Sequence, residues 1–402
     1  MLTGLSPNGE SHRSIAEPMG REEIPMRVGV NGWRIHGQRT GVGRYLLNIV
    51  KHWTPEVVAG QCEEINFYTP SPVNRAEIPL PMNIQNVVLS SKARMLMWEN
   101  FRLGPSADED VLFCPSHTRP IITRGKVVVT THDATLKLFP WLFPMSARFL
   151  HTPLYGWSAR HATLVITDSE ASRQDIARCW GVPLSRIRVV YLAPSELFKP
   201  LPGNPQVREA RVRYLGADEP FFLFVGKLSG RRNIPCLLKS FAAFKRRTSS
   251  SHKLLMIGLN IHNMDLPSLI QSLGLSNDLK YASYISDEDL NLLYNAADAF
   301  ISPAEYETVS LPVMEAQAAG APVVCIDTAG MREYTGGTAL LIPKLGIQEV
   351  SEAMLALAND ASLRRKLSEQ GLQHIRQFSW ARCSAETLAV LAEAGRTPIS
   401  ND

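Results

Sequence analysis

No stretch of this 402-residue chain approaches the ~18 consecutive apolar residues that a membrane-spanning helix needs. Cysteine is scarce and scattered. Cys62, Cys114, Cys179, Cys236, Cys325 and Cys383 show no CxxC spacing, which excludes a disulfide frame and a zinc site and suits reduced thiols in the cytoplasm. Strong charge is lacking too: the formal net charge is +4, too small and too dispersed to argue for nucleic acid. The excess that exists lies in the first 200 residues, with 22 Lys/Arg against 17 Asp/Glu, and suits a phosphate-bearing substrate or an anionic membrane surface. No GxGxxG opens a helix directly after a strand with an acidic partner some twenty residues on, so a dinucleotide oxidoreductase is disfavoured. No repeat of 20–50 residues is evident. The first 25 residues are polar, lack a signal-peptide apolar core and read as a disordered tail, with Met26 a conceivable start.

What is present is an alternation. Short apolar runs at Arg27–Asn31, Ile65–Thr69, Asn86–Leu89, Val111–Cys114, Val127–Thr131, Leu164–Thr167 and Arg188–Tyr191 read as strands, with helical stretches between several of them. Ser169 and Gly181 read as the two caps of one such helix. Pro194, Pro200, Pro202 and Pro205 then mark an inter-domain linker, its end around 206–215 a candidate short helix. The rhythm resumes at Phe221–Val225 and Leu254–Ile257 and culminates in the unit from Ala299 to Cys325. There a strand, a helix starting near Ser310 and ending at Gly320, and a second strand make a parallel βαβ unit. Helices fill 347–394.

Three places carry candidate chemistry. In the 299–325 unit, Glu307 leaves the strand and Glu315 lies in the first turns of the helix. Both can accept hydrogen bonds from sugar or ribose hydroxyls, beside a helix start whose N–H groups attract phosphate; spacing alone favours the plainer reading, a solvated loop acid and a dipole-complementing Glu. After Phe221–Val225, the run from Gly226 to Asn233 sets Lys227 and Arg232 in a glycine-bearing loop at a helix start, a diphosphate pattern. In the first half, Gly41 and Gly43 sit before a helix read over Arg44–Trp53. His132-Asp133 end a strand, where they could bond a sugar, act as acid and base, or do neither. The aromatic, basic stretches Lys92–Leu103 and Lys137–His161 read either as a membrane-facing surface or as core helices with snorkelling arginines.

Taken in order, these motifs resemble the family 4 retaining glycosyltransferases over residues 27 to about 392. Glu307 and Glu315 match the family's glutamate pair, Gly226–Asn233 its basic donor loop, Gly41–Tyr45 its amino-terminal glycine loop, and His132-Asp133 its strand-end pair. The resemblance implies an α/β GT-B fold: two Rossmann-like doubly wound domains facing across a cleft. Expected divisions are a tail at 1–25, an acceptor domain at 26–200, a nucleotide-sugar domain at 201–379, and a helix at 380–402 crossing back. It implies a hexosyltransferase, mannosyltransferase-like, working without an obligatory metal on a GDP- or UDP-linked sugar. The acceptor would be a glycan or polyprenyl-linked oligosaccharide of polysaccharide biosynthesis. Expected catalytic residues are Glu307, His132 and Asp133. Expected donor contacts are Gly43, Lys227, Arg232, Glu307, Ser310, Leu311 and Glu315. The enzyme would be cytoplasmic, with peripheral membrane contact through its first domain. One departure stands out: Thr308-Val309-Ser310 replace the glycines that usually follow the first glutamate. It motivates the alternative of a non-catalytic sugar-nucleotide or glycan-binding protein of the same fold.

Overall fold

Where a chain places Val, Ile, Leu and Phe without interruption, only a strand covered on both faces suits it. Val111–Cys114, Leu164–Thr167 and Ala299–Ser302 are such runs, with every residue buried. The computed structural model describes residues 25–36, 41–261 and 263–398. The polar tail, apart from Pro25, lies outside the described residues, as do the middle of the glycine loop at 37–40 and the end of the 380–402 element.

The first sheet has seven parallel strands: β1 Met26–Asn31, β2 Cys62–Thr69, β3 Ile84–Val88, β4 Val111–Cys114, β5 Lys126–Thr130, β6 Leu164–Thr167 and β7 Ile187–Val189, in the order β3-β2-β1-β4-β5-β6-β7. The second has six: β8 Phe221–Val225, β9 Lys253–Ile257, β10 Leu279–Ala282, β11 Ala299–Ser302, β12 Val323–Ile326 and β13 Leu340–Ile342, in the order β10-β9-β8-β11-β12-β13. The strand order reverses at β1/β4 and at β8/β11, and the crevice outside the carboxyl ends there is where doubly wound sheets bind ligands. Each sheet has apolar clusters of its own. These are two Rossmann-like domains.

The segment after β7 runs irregularly to Asn204, whose side chain caps helix Pro205–Leu215. Pro205, read as linker, is instead a first-turn proline, where its missing N–H costs nothing. Helix Trp380–Arg396 returns to the first sheet. Trp380, Leu388 and Leu391 join that sheet's core, Ser384 Oγ donates to Ile49 O at 2.9 Å, and Arg188 pairs with Glu393. The other chain-end signals are as read: Ser169 Oγ accepts from Ser172 N, and Gly181 and Gly320 close their helices at φ 68° and 85°. Strands β10 and β13 escape the sequence reading. They are short outer strands, partly exposed; β10 lacks a continuous apolar run, and that of β13 spans only Ala339 to Ile342.

One glycine fixes how the second sheet ends. Gly258, at φ +147°, lies so close to the turn after β8 that a Cβ would stand 2.0 Å from Gly226 O. Gly258→Ala is therefore expected to cost roughly 2 kcal/mol or more of stability, from a positive φ plus a backbone clash. The denaturant midpoint of the purified variant measures it.

Candidate functional site

Three loops meet at the two switch points. After β8 the chain makes a tight turn at Gly230–Arg232 and enters helix Ile234–Arg247 through Asn233, at φ 47°. The loop after β11 is tied to it, because Glu305 N donates to Arg231 O at 3.1 Å. This tie sets Glu307, only 3% exposed, against two guanidiniums. Arg232 Nη1 pairs with Glu307 Oε1, and Arg231 Nη2 lies 3.7 Å from the same oxygen. Arg231 also reaches across to the first domain, 3.7 Å from Asp133 Oδ2. Glu307 chiefly, against the effect of burial and with help from Asp133, holds Arg231 above its ordinary pKa. Burial, partly offset by Glu307, lowers Arg232.

Sequence reasoning missed Arg231, having assigned the second positive charge to Lys227. Lys227 is exposed, whereas Arg231 faces the glutamate. No local signal marked it, because the direction of Arg231 is set by the one-turn 3-10 element at Gly230–Arg232.

Glu315, 4% exposed, occupies the second turn of helix Leu311–Ala319. Burial raises its pKa to about 7, and Arg44 opposes the rise. Arg44 comes from helix Gly41–Val50 of the first domain. Its guanidinium is 3.7 Å from Glu315 Oε1 and donates to Asp287 at 2.8 Å. These groups, with Leu311, Tyr284 and Trp380, border a cavity of about 630 Å³ between the domains. Gly43 is a correction. Among the described residues Gly43 lies within helix Gly41–Val50, not in a loop before it.

Ser310 is a second correction. It stands at the N-cap, at φ −136°, but its Oγ makes no capping bond and is buried without a hydrogen-bond partner among the described residues. The bulk of the Thr-Val-Ser segment is absorbed by packing. Thr308 is 3% exposed and its carbonyl rests on Gly330, where a Cβ would come within 2.3 Å. Thr328 Oγ1 donates to Glu307 O at 2.8 Å, and Val309 packs against the cores of both domains.

On the facing domain, both ring nitrogens of His132 are engaged. Nδ1 is 2.8 Å from Asp168 Oδ2 and Nε2 is 3.1 Å from Pro115 O. Burial works against the imidazolium, but Asp168 outweighs it and the pKa rises. The ring therefore keeps no free nitrogen for a substrate in this arrangement. The expected acid–base role of His132 is narrowed to placing its neighbours. Asp133 accepts from Thr135 N at 2.9 Å, and despite burial the charge of Arg231 keeps it below the usual carboxylate range.

A carboxylate also locks the domains together away from the cleft. Glu333 accepts from Glu170 N at 2.6 Å, Ala171 N at 3.1 Å and Tyr191 Oη at 2.7 Å, so it caps helix Glu170–Trp180 of the first domain. A larger hollow of about 790 Å³, around Glu109 and Lys126, opens at the opposite, amino edge of the first sheet, away from these groups. Among the described residues, no group of three or more His, Cys, Asp or Glu could hold a metal ion, and no helix is long and apolar enough to cross a membrane.

Comparison with known proteins agrees with this geometry. The family described as glycosyl transferases group 1 matches residues 208–374, and a glycosyl transferase 4-like domain matches 121–193; together they take in more than half of the chain. O-antigen chain mannosyltransferase B of Escherichia coli is 28% identical over 369 residues, which covers 87% of this chain and 95% of that protein. Alpha-D-kanosaminyltransferase of Streptomyces kanamyceticus is 26% identical over 54% of this chain, and the match spans 58% of that relative's length. Among solved structures, HepE of Anabaena, in complex with UDP-glucose, superposes with a TM-score of 0.70 at 17% identity, over 90% of this chain and 98% of that one.

Proposed function

Since the chain belongs to the group 1 glycosyltransferases and has their two-domain GT-B fold, we propose that it moves a hexose, with mannose the first candidate, from a nucleotide-sugar donor to a glycan or lipid-linked acceptor with retention at the anomeric carbon. One observation carries this reading: Arg231 and Arg232 converge on Glu307 at the carboxyl edge of the second sheet, opposite Asp133 of the first. The similarity to the mannosyltransferase of Escherichia coli, along nearly its whole length, supports the choice of sugar.

In this reading the two guanidiniums hold the donor diphosphate, which a bidentate group grips well. Glu307 takes the hydroxyls of the donor sugar and Glu315 the ribose. The Gly43 N–H and the start of helix Leu311–Ala319 face the phosphates. The bond from the anomeric carbon to the phosphate oxygen breaks, and the acceptor oxygen bonds that carbon from the same face. The acceptor proton passes to the departing phosphate oxygen. The protein's work is to fix geometry and to offset charge as it develops on the diphosphate. With Thr308 and Ser310 sunk into the domain, the bulk that motivated a non-catalytic reading has a packing role instead.

A thermal-shift screen of GDP-mannose, UDP-glucose, UDP-N-acetylglucosamine and ADP-glucose tests the donor. GDP-mannose is expected to give the largest rise in Tm, and no rise with any of the four would overturn the proposal. Affinity for the donor should also depend on pH through Glu315. Only its carboxylate form accepts from both ribose hydroxyls, and its pKa lies at about 7. The sugar-nucleotide diphosphate does not titrate in that range. Donor Kd should therefore weaken as the pH falls through 7, by about tenfold from pH 8 to pH 6. Glu315→Gln should bind weakly with a flat profile. Calorimetric titration at four pH values measures both.

We extend the reading to a membrane-bound acceptor. Met97, Phe101, Ile121 and Ile122 are exposed on one part of the first domain, and Trp141, Met145, Phe149 and Leu150 on another, interspersed with Arg102, Arg124 and Arg148. Exposed large apolar groups amid cations suit an anionic bilayer surface. Flotation with vesicles of acidic phospholipid, but not with neutral ones, is the expected result.

A further inference from the structure

Among the described residues of the first domain, His117 alone of the non-glycine residues has a positive φ, and nothing above uses it. It follows β4 at φ +57°, a left-handed conformation uncommon for any residue but glycine. Thr118 N donates to Ser116 O at 2.6 Å and closes a three-residue turn around it, of the strained kind with positive φ at its centre. His117 N donates to Thr130 O at 2.8 Å, which pins this turn to the end of β5. Such conformations persist where the surroundings enforce them, and they gather at ligand sites.

The turn carries the imidazole to the carboxyl edge of the sheet, beside the pair that faces the donor domain. The ring stacks on Tyr155, with centroids 4.5 Å apart and planes 13° apart, and stands edge-on to His132 at 5.3 Å. It is half buried. Its Nδ1 is wholly buried and has no hydrogen-bond partner among the described residues. Thr131 Oγ1, Asp168 Oδ1 and His151 Nδ1, nearby in the same half of the cleft, are buried and unpartnered too. Unpaired buried polar atoms are uncommon and mark places where a catalytic, ligand or water contact completes the structure. A patch with many such atoms and little net charge suits a polyhydroxylated molecule.

We propose that His117 binds a neutral sugar hydroxyl of the acceptor and presents it to the donor held beyond Asp133 and Arg231. This rests on the glycosyl-transfer reading above. The groups facing the ring are His132, Asp133, Arg34 and His151. Burial first, then His132, with Arg34 and His151 adding to them, lower the pKa of His117, and Asp133 opposes the shift. The ring is thus neutral at physiological pH, with one nitrogen able to accept from a hydroxyl and the other to donate. His132 supports the ring from the side, and Asp168 holds His132 in place.

The test uses His117→Asn and His117→Gly. Both residues tolerate positive φ, so the turn survives and the imidazole is lost. The probes are GDP-mannose as donor and a panel of soluble methyl glycosides of mannose, glucose, galactose and N-acetylglucosamine as acceptors. Expected are an unchanged thermal shift with donor, a Tm within a few degrees of wild type, and kcat/KM for the acceptor lowered at least tenfold, chiefly through KM. Wild-type kcat/KM for the acceptor in either folded variant would overturn the proposal. So would a wild-type enzyme that binds GDP-mannose yet transfers to none of the glycosides, because the acceptor group would then not be a plain sugar hydroxyl. A wild-type enzyme that binds no sugar nucleotide would instead sink the glycosyl-transfer reading, and this inference with it.

Discussion

Glu307→Ala is expected to lower kcat by about 100- to 1,000-fold, the scale set by removing one preorganised polar group from a reacting centre. The carboxylate has two tasks, and the substitution ends both. It is placed to hold the donor sugar, and it is the shared counter-ion of Arg231 and Arg232. Removing it leaves two guanidiniums facing each other in a poorly solvated loop, and breaking a buried pair from one side costs about 3–5 kcal/mol. Arg231 retains Asp133, so the penalty should fall at the low end of that range. Glu307→Gln separates the two tasks. It keeps the shape and some hydrogen bonding but removes the charge, and it should lose turnover with a smaller loss of Tm than alanine. Steady-state rates with saturating donor, alongside a thermal melt, distinguish the cases. A fold-intact Glu307→Gln with wild-type kcat would remove Glu307 from the mechanism.

Arg232→Ala is expected to act differently. Arg232 is largely buried, its side chain 15% exposed, and burial already disfavours its charge. Its removal relieves like-charge repulsion with Arg231, which remains to pair with Glu307. Stability should therefore change little, while the diphosphate loses one of two cations as its charge develops. The expected loss is about 100-fold in kcat/KM, comparable with one oxyanion donor. Arg232→Lys should recover part of it, because a point charge remains while two-pronged geometry is lost. Donor Kd by calorimetry, together with kcat/KM, shows how the loss divides. Equal losses in the alanine and lysine variants would show that geometry, rather than charge, is what Arg232 supplies.

Most of the scaffold was legible because parallel strands buried on both faces leave uninterrupted apolar runs, as in Phe221–Val225. Helix ends with a hydroxyl or glycine cap, as at Ser169 and Gly320, were equally plain. The outer strands β10 and β13 were not: β10 is interrupted by exposed polar residues, and the apolar run of β13 is only a few residues long. In the candidate site, the order of the motifs and their resemblance to the family pointed to Glu307 and Arg232, in loops after strands, and to Glu315, early in the helix that follows. Spacing could not show that Arg231 rather than Lys227 turns inward, because a single turn of 3-10 helix decides that direction. Nor could it show the state of His132, whose two partners, Pro115 and Asp168, come from 17 and 36 residues away. His117 gave no local signal at all. Its strain is a property of the backbone, visible only once β4 and β5 are side by side.

The pairing of Arg44 with Glu315 and Asp287, and of Arg231 and Arg232 with Glu307, bears on how a catalytic cycle finishes. A nucleotide diphosphate left behind after transfer carries more negative charge than the sugar nucleotide that entered, and would cling to the guanidiniums. Glu307 is a built-in competitor for Arg231 and Arg232, and once the sugar has left nothing covers it. Each turnover can close with this carboxylate reclaiming its two arginines and displacing the spent diphosphate.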